Sequence, residues 1–237
     1  MGAWAGRFVA EVDSALAVAA VPGDVEAMSA YMRGQFSFLG VRAAGQRVAI
    51  RTALAAAGRP IDENEVRTAI DALWARPERE YRHIGCDLAG RFASKASPDF
   101  VDDAASWITA DPWWDTCDAL ARRCVGVVVR GHPALRSVMD RWLAGDNMWL
   151  TRSAIIHMGG WRDAIDRDWV FAACLARAGD TDFFIRKAIG WILRDLAWVD
   201  ASAVVGFVDG PGAVLSNLSK REALKNVLKN VQRRHAE

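Results

Sequence analysis

The chain has 237 residues, enough for one well-buried domain, and its composition excludes a disordered polypeptide because 52% of the residues are hydrophobic and 25% are charged. The net charge of +1 excludes a uniformly basic protein. A local basic surface is still compatible with this total, because basic side chains are concentrated near the C-terminus, at Lys220, Arg221, Lys225, Lys229, Arg233 and Arg234.

The 4 cysteines and 4 histidines form no CxxC pair and no cluster with metal-ligand spacing, so the sequence predicts no metal site, no disulfide framework and no cofactor. Cys117 and Cys124 are expected in the core of one helix. The apolar stretch 15–21 follows Glu11 and Asp13, where a signal peptide would carry positive charge, and no run reaches membrane-spanning length. We therefore expect the protein to stay in the cytoplasm, with no membrane partner.

The chain is rich in helix-forming residues and poor in alternating β-branched runs, which predicts an all-α fold. Glycine, proline and aspartate divide it into short helices. In chain order, the predicted helices span residues 3–20, 24–36, 44–57, 62–75, 78–95, 98–109, 112–129, 133–143, 147–158, 166–178, 182–198, 200–208 and 218–232.

Four of these helices open with polar or aromatic residues, carry basic side chains and recur at intervals of about 35 residues; they begin near Glu80, Asp115, Thr151 and Phe184. This spacing favours an α-α superhelix of HEAT-like helix pairs, in which the second helix of each pair lines one concave surface. An irregular helical bundle is the alternative. No Ser/Gly-rich linker divides the sequence, so we predict a single domain over residues 1–237.

The segment 111–118 contains two tryptophans and three aspartates at the start of a predicted helix. Asp111 is a suitable N-cap and Pro112 suits the first helical position, so the helix is predicted to begin there. The three-four spacing predicts that one stripe of this helix is buried, namely Trp113, Cys117, Leu120, Cys124 and Val127.

The neighbouring stripe of the same helix carries Trp114, Asp118 and Arg122, so an aromatic ring, a carboxylate and a cation share one face. Asp115 lies in the first turn, where a carboxylate ordinarily compensates the helix dipole. Asp118 lies too far along the helix for that role. A solvated ion pair with Arg122, four residues later, is the ordinary interpretation of Asp118, and the spacing leaves it open.

A second candidate site lies in the segment 182–194, where Trp191 sits beside the core stripe. Lys187 precedes it by four residues and Arg194 follows by three, so Trp191 is predicted on a basic helical face that suits ligand contact. Core packing is the alternative for this tryptophan. Arg152 is a third candidate, because a cation near the start of the intervening helix can hold a phosphate; otherwise it is an ordinary surface arginine.

Several segments together resemble the AlkD-like DNA alkylation-repair glycosylases, a family with a helical-repeat fold that binds DNA along a basic concave face. The resemblance covers nearly the whole chain and includes residues 31–40, 73–81, 113–118, 149–157, 183–194 and 218–223. The sequence departs from the family pattern at Gly34, which replaces a usual Asn, and at Met158, Gly159 and Gly160, which replace a Gln-Leu stretch.

The resemblance implies that Asp118 is the catalytic carboxylate and that Trp114 and Trp191 are aromatic walls around the lesion. It implies a DNA-contacting role for Arg152 at the lesion. The basic side chains expected to bind the DNA backbone are Lys187, Arg194, Lys220 and Arg221. The implied substrate is duplex DNA that contains alkylated purines, and we expect the protein to act as a monomer.

The chemistry agrees with these residue types. Alkylation at N3 or N7 gives a purine a positive charge and makes it a good leaving group, so the reaction needs one carboxylate to stabilise an oxocarbenium-like sugar and to position a water. No lysine is placed near Asp118 as a Schiff-base nucleophile, so a monofunctional glycosylase is predicted. The alternatives are a non-catalytic HEAT-like repeat protein that binds distorted or branched DNA, and a protein-interaction scaffold.

Overall fold

The computed structural model describes residues 2–225 and 227, and this part of the chain contains α-helices, short 3-10 turns and no β-strand. The helices are α1 Ala3–Ala19, α2 Val25–Tyr31, α3 Ala43–Ala57, α4 Glu63–Trp74, α5 Arg79–Phe92, α6 Phe100–Thr109, α7 Trp114–Leu120, α8 Gly126–Gly131, α9 Arg136–Ala144, α10 Met148–Ile156, α11 Arg167–Ala176, α12 Phe183–Ala197, α13 Ala201–Asp209 and α14 Asn217–Leu224. The predicted all-α class is confirmed. The helix predicted over 218–232 corresponds to α14, and the part of the prediction over 228–232 lies outside the described residues.

The chain forms two compact units, Met1–Trp107 and Ile108–Glu237. In the first unit, α1 packs against α3 and α4, and α5 packs against the same two helices. Its core contains the fully buried Trp4 and Phe8, whose rings stack 5.1 Å apart. The prediction of a single domain over residues 1–237 stays a prediction.

In the second unit, α10 packs against α7 on one side and α12 on the other, and α12 also packs against α13 and α14. Three of the four helices that the repeat spacing singled out are therefore direct neighbours, as expected for stacked helix pairs. The core between them is built from apolar stripes with the three-four helical spacing and includes Ile155, Ile185, Ile189 and Leu193.

Two helix boundaries differ from the predictions because of backbone conformation. The helix predicted over 24–36 ends at Tyr31, since Arg33 and Gly34 adopt φ angles of 57° and 69°. Gly34 replaces the usual Asn at a position where both residue types tolerate a left-handed conformation. Asp111 is not the N-cap of the next candidate helix: its φ is 48°, Trp113 is the N-cap, and α7 begins at Trp114.

A π-helical turn, Ala121–Val125, connects α7 to α8. The predicted buried stripe is correct for Cys117, Leu120 and Cys124, whereas Trp113, at the N-cap, and Val127 are half-buried. The wider turn rotates the residues that follow it, which accounts for Val127. Val128 is buried in place of Val127. The turn begins only three residues after Asp118, so an irregularity of the helix lies directly beside the candidate carboxylate.

Candidate functional site

Asp118 and Arg152 form a two-pronged ion pair between α7 and α10. The Nε and Nη2 of Arg152 donate to the two carboxylate oxygens at 2.7 Å each, and its Nη1 donates to the carbonyl oxygen of Phe184 at the start of α12. The Arg152 side chain is 1% exposed and that of Asp118 is 16% exposed. Arg152 is thus not a surface arginine; it fixes the carboxylate, which stays open to solvent.

The starts of the three helices are held together by aromatic packing. The rings of Trp113, Trp149 and Phe184 lie 5.0–6.0 Å from one another. Asn147 caps α10 through the backbone N–H groups of Trp149 and Leu150, and Asp182 caps α12 through those of Phe184 and Ile185. These contacts hold the starts of α7, α10 and α12 together. Hydrogen bonds from Arg152 to Asp118 and to the Phe184 carbonyl join the same three helices.

Asp118 opens into a cavity of about 460 Å³ that both predicted tryptophans line. Trp114 and Trp191 are half-buried, so each ring presents part of its surface to the cavity. Core packing, the alternative considered for Trp191, accounts for only part of its surface. The structure therefore brings together the carboxylate and the two aromatic side chains that the sequence singled out.

Cys117 lies beneath the carboxylate and is fully buried. Its Sγ lies 3.3 Å from the hydroxyl oxygen of Ser153. Burial, followed by the nearby charge of Asp118, raises the pKa of the Cys117 thiol to about 12. A thiolate nucleophile at this position is accordingly disfavoured at neutral pH. The carboxylates that line the cavity are those of Asp115 and Asp118.

Trp191 is surrounded by cations. The Cζ of Arg152, the Nζ of Lys187 and the Cζ of Arg194 lie 5.0, 5.4 and 5.9 Å from its ring centroid. Lys187 and Arg194 also bind the two oxygens of Glu222 on α14, at 3.0 and 3.1 Å. Lys187 and Arg194, which are predicted to bind the DNA backbone, are thus ion-paired within the protein. Both also contact the indole ring of Trp191.

Glu222 is a residue of this site that the sequence analysis did not single out. Burial opposes its ionisation, but the hydrogen bond and charge of Lys187, with Lys225 and Arg194, outweigh it and hold the pKa of Glu222 below its ordinary value. Gly190 permits the contact, because a Cβ there would lie 2.5 Å from the Cβ of Glu222.

The two other predicted backbone contacts, Lys220 and Arg221, lie on α14. The ammonium group of Lys220 donates to the carbonyl oxygen of Ala213 at 2.6 Å, and Arg221 is exposed. Neither lines the cavity beside Asp118. The structure therefore places these two basic side chains outside the aromatic cavity, and their role in binding DNA stays a prediction.

Arg122 does not pair with Asp118, so the interpretation of Asp118 as part of a solvated pair with its helical neighbour is wrong. Arg122 instead donates to the carboxylate of Asp195 on α12 at 2.9 Å. The guanidinium of Arg122 lies over the glycine turn at Gly159, where a Cβ would come within 2.5 Å of its Nε. The departure from the family pattern at Gly159 therefore makes room for Arg122.

The spacing of three or four residues within one helix does not predict the Asp118–Arg152 pair, but the repeat spacing of the helix pairs does. Asp118 and Arg152 are 34 residues apart, Arg152 and Phe184 are 32 apart, and Arg186 and Ser219, which are also hydrogen-bonded, are 33 apart. These separations match the repeat of about 35 residues. Equivalent positions of consecutive second helices face each other, and that relation predicts the pair.

Among the described residues, no group of three or more histidine, cysteine, aspartate or glutamate side chains could hold a metal ion. Within the same part of the chain, no helix has both the length and the apolar character needed to cross a membrane.

Comparison with known proteins bears on this site. A family profile described as "DNA alkylation repair enzyme" matches residues 12–227. The chain belongs to this family. Its fold is similar to that of a solved structure titled "Predicted DNA alkylation repair enzyme from Enterococcus faecalis", with a TM-score of 0.79, 27% sequence identity, and coverage of 88% of this chain and 96% of that chain. A comparison with curated proteins gave no match.

Membership of the DNA alkylation repair family confirms the resemblance found in the sequence and the predicted helical-repeat class. It also establishes a role in the repair of alkylated DNA, and hence an interaction with DNA. The matched region contains Trp114, Asp118, Arg152, Trp191 and Glu222. The cavity described above therefore lies within the family region.

Proposed function

We propose that this DNA alkylation repair enzyme is a monofunctional DNA glycosylase that excises positively charged N3- and N7-alkylpurines, such as 3-methyladenine and 7-methylguanine, from duplex DNA. The observation that carries the proposal is the partly exposed carboxylate of Asp118, fixed by Arg152 in a cavity between two tryptophans. This arrangement suits a reaction that needs one oriented anion and no metal-bound nucleophile.

The reaction begins with departure of the alkylated base. The N-glycosidic bond breaks, its electron pair moves to the purine and neutralises the positive charge there, and positive charge develops at C1′ of the sugar. Asp118 stabilises this charge electrostatically. A water molecule then attacks C1′ and transfers a proton to the carboxylate, which releases it to solvent. Arg152 remains bonded to Asp118 and keeps the carboxylate oriented.

Trp114 selects the damaged nucleotide by its charge, because a cation over an indole face is favoured by about 0.5–2 kcal/mol. Trp191 already contacts three cations of the protein and serves as an aromatic wall of the cavity. The cavity of about 460 Å³ has both rings in its lining. Because the leaving base is already cationic, a strong general acid is not required at this site.

The test is release of free alkylpurine from duplex DNA treated with a methylating agent. We expect the wild-type protein to release base and Asp118→Asn to lower the rate about 100-fold or more. Asp118→Asn leaves Arg152 buried without its anion, so a second variant, Asp118→Asn with Arg152→Gln, removes both charges together. Thermal unfolding and DNA binding are measured for each protein, and both variants should bind DNA while failing to excise.

Asp24→Asn is the matched control. Asp24 accepts from the Nε and Nη2 of Arg42 at 2.7 and 2.6 Å and its side chain is 23% exposed, but it lies in the other compact unit and outside the candidate cavity. This control should excise at the wild-type rate. Unchanged excision by folded Asp118→Asn would refute the assignment. DNA binding with no base release by the wild type would support a non-catalytic reader of distorted or branched DNA.

A further inference from the structure

A second cavity, of about 570 Å³, lies next to the one beside Asp118 in the same compact unit. Arg122 lines both cavities and is their shared boundary. The second cavity is also lined by Arg162, Asp195 and Trp198, and its volume is larger than that of the tryptophan cavity. Nothing in the proposed excision step uses these side chains.

The two cavities follow one face of α12. Trp191 lines the first, and Asp195 and Trp198, four and seven residues further on, line the second. Seven residues of helix rise about 10 Å, which is longer than one nucleotide step of a DNA strand and shorter than two extended steps. A strand that runs along this face of α12, with its damaged nucleotide beside the tryptophans, would place its next nucleotide at the second cavity.

Arg122 is held in a defined position between the cavities. One of its nitrogens donates to Asp195 at 2.9 Å, its guanidinium lies over Gly159, and its side chain is 42% exposed. An arginine has five N–H donors, so a single bond to Asp195 leaves donors for a phosphate. The π-helical turn that contains Arg122 sets the direction from which this side chain reaches the glycine turn.

Arg162 is the second arginine that lines this cavity. It is exposed, makes no ion pair with any described residue, and has a φ of 54°, an uncommon conformation for a residue with a side chain. The preceding Gly160, with a φ of 88°, makes the tight turn that leads to it. Trp198 is 44% exposed and supplies an indole surface to the same cavity.

We infer that the second cavity is a subsite for the nucleotide adjacent to the damaged one in the same DNA strand. Arg122 and Arg162 bind the phosphates on either side of that nucleotide, and Trp198 packs against its sugar or base. Asp195 orients Arg122 and partly neutralises it. This inference rests on the proposed function, because the position of the damaged nucleotide beside Asp118 defines which nucleotide is adjacent.

The test measures binding to a short duplex that carries a tetrahydrofuran abasic analogue, by fluorescence anisotropy between about 50 and about 200 mM salt. Arg122→Ala and Arg162→Ala should each raise Kd about tenfold and reduce the salt slope by about 0.9, the value for one lost phosphate contact. Trp198→Ala should raise Kd without changing the slope, because an indole carries no charge. Arg141→Ala, an exposed arginine that lines neither cavity, is the control.

Asp195→Asn separates a DNA contact from a structural ion pair. If Arg122 binds phosphate, removal of the Asp195 charge should lower Kd, whereas Arg122→Ala raises it. If the Arg122–Asp195 pair only stabilises the fold, both variants should lower the melting temperature and leave the salt slope unchanged. The second pattern would overturn the subsite.

Excision assays on the same variants keep the two proposals separate. Single-turnover excision at saturating protein should be close to wild type for the control Arg141→Ala, because Arg141 lines neither cavity. If base release is absent in the wild type but the salt slope still falls in Arg122→Ala, the glycosylase proposal fails and the phosphate contact stands. If release depends on Asp118 while the slope is unaffected, the subsite is refuted alone.

Discussion

Arg152 uses three nitrogens at once, which sets it apart from Arg177 in the same compact unit. Its planar fork binds both oxygens of Asp118 while the remaining terminal nitrogen binds the Phe184 carbonyl. Arg177, by contrast, makes one contact at 3.0 Å to Asp180. A lysine could replace the single contact of Arg177 but not the three contacts of Arg152, because an ammonium group has no planar fork.

Arg152→Lys therefore should reduce excision by about 10-fold to 100-fold, since the carboxylate loses its fixed orientation while the positive charge remains. The free energy of unfolding should fall by about 2 kcal/mol, because the pair is largely buried. Single-turnover excision and denaturant unfolding measure the two effects. Arg177→Lys is the control, with excision near wild type; equal losses of excision in both variants would contradict the orienting role of Arg152.

Helix α12 carries much of the candidate site, so its N-terminal cap is important at the scale of the element. Asp182 accepts hydrogen bonds from the backbone N–H groups of Phe184 and Ile185, at 2.6 and 3.2 Å. The same first turn presents the Phe184 carbonyl to Arg152. Fraying of this turn would release the third contact of Arg152 and loosen the packing of the three aromatic rings at the helix starts.

Asp182→Ala should lower the free energy of unfolding by about 1 kcal/mol, the ordinary cost of losing a cap, and the melting temperature by about 2–4 °C. Excision should fall as well. Asp200→Ala removes the cap of α13, where Asp200 binds the N–H of Ala203, and is the matched control. It should cost similar stability with no loss of excision. If both variants excise at the wild-type rate, the first turn of α12 does not support the site.

The order of the helices follows from local sequence signals, but two irregular backbone features do not. The sequence predicts one helix over 112–129, whereas the structure divides it into α7 and α8 through the π-helical turn at Ala121–Val125. The sequence also predicts Asp111 as the N-cap, although its left-handed φ makes it part of the preceding turn. Helix propensity alone carries no information on either feature.

Across the second unit, the sequence predicts the residues of the candidate site but not the side chains that they contact. Helical spacing and the family resemblance single out Asp118, Trp114 and Trp191, and these three residues line one cavity. Arg122 pairs with Asp195, 73 residues away, a separation that no helical period or single repeat spans. Glu222 forms ion pairs with both Lys187 and Arg194. The packing of α12 against α14 brings these three side chains into contact.

The stability of the molecule should depend on pH through His157, which is buried at the end of α10. Its Nδ1 lies 2.6 Å from the carbonyl oxygen of Ala154, while its Nε2 has no hydrogen-bond partner among the described residues. The rings of Trp161 and Trp169 enclose it edge to face. Burial lowers the pKa of His157 to about 4, because a charged imidazolium would lack solvent there.

Between about pH 6.5 and pH 4, the unfolded chain binds a proton at this histidine and the folded chain does not. The free energy of unfolding should therefore fall as the pH drops through this window, by up to about 3 kcal/mol from His157. His157→Phe keeps an aromatic ring between Trp161 and Trp169 but cannot take up the proton. Urea unfolding at pH 7 and near pH 4.5 measures the difference, and the variant should lose less stability on acidification than the wild type. Equal losses in the two proteins would mean that carboxylates with a lowered pKa, such as Glu222, and not His157, account for the acid sensitivity of the fold.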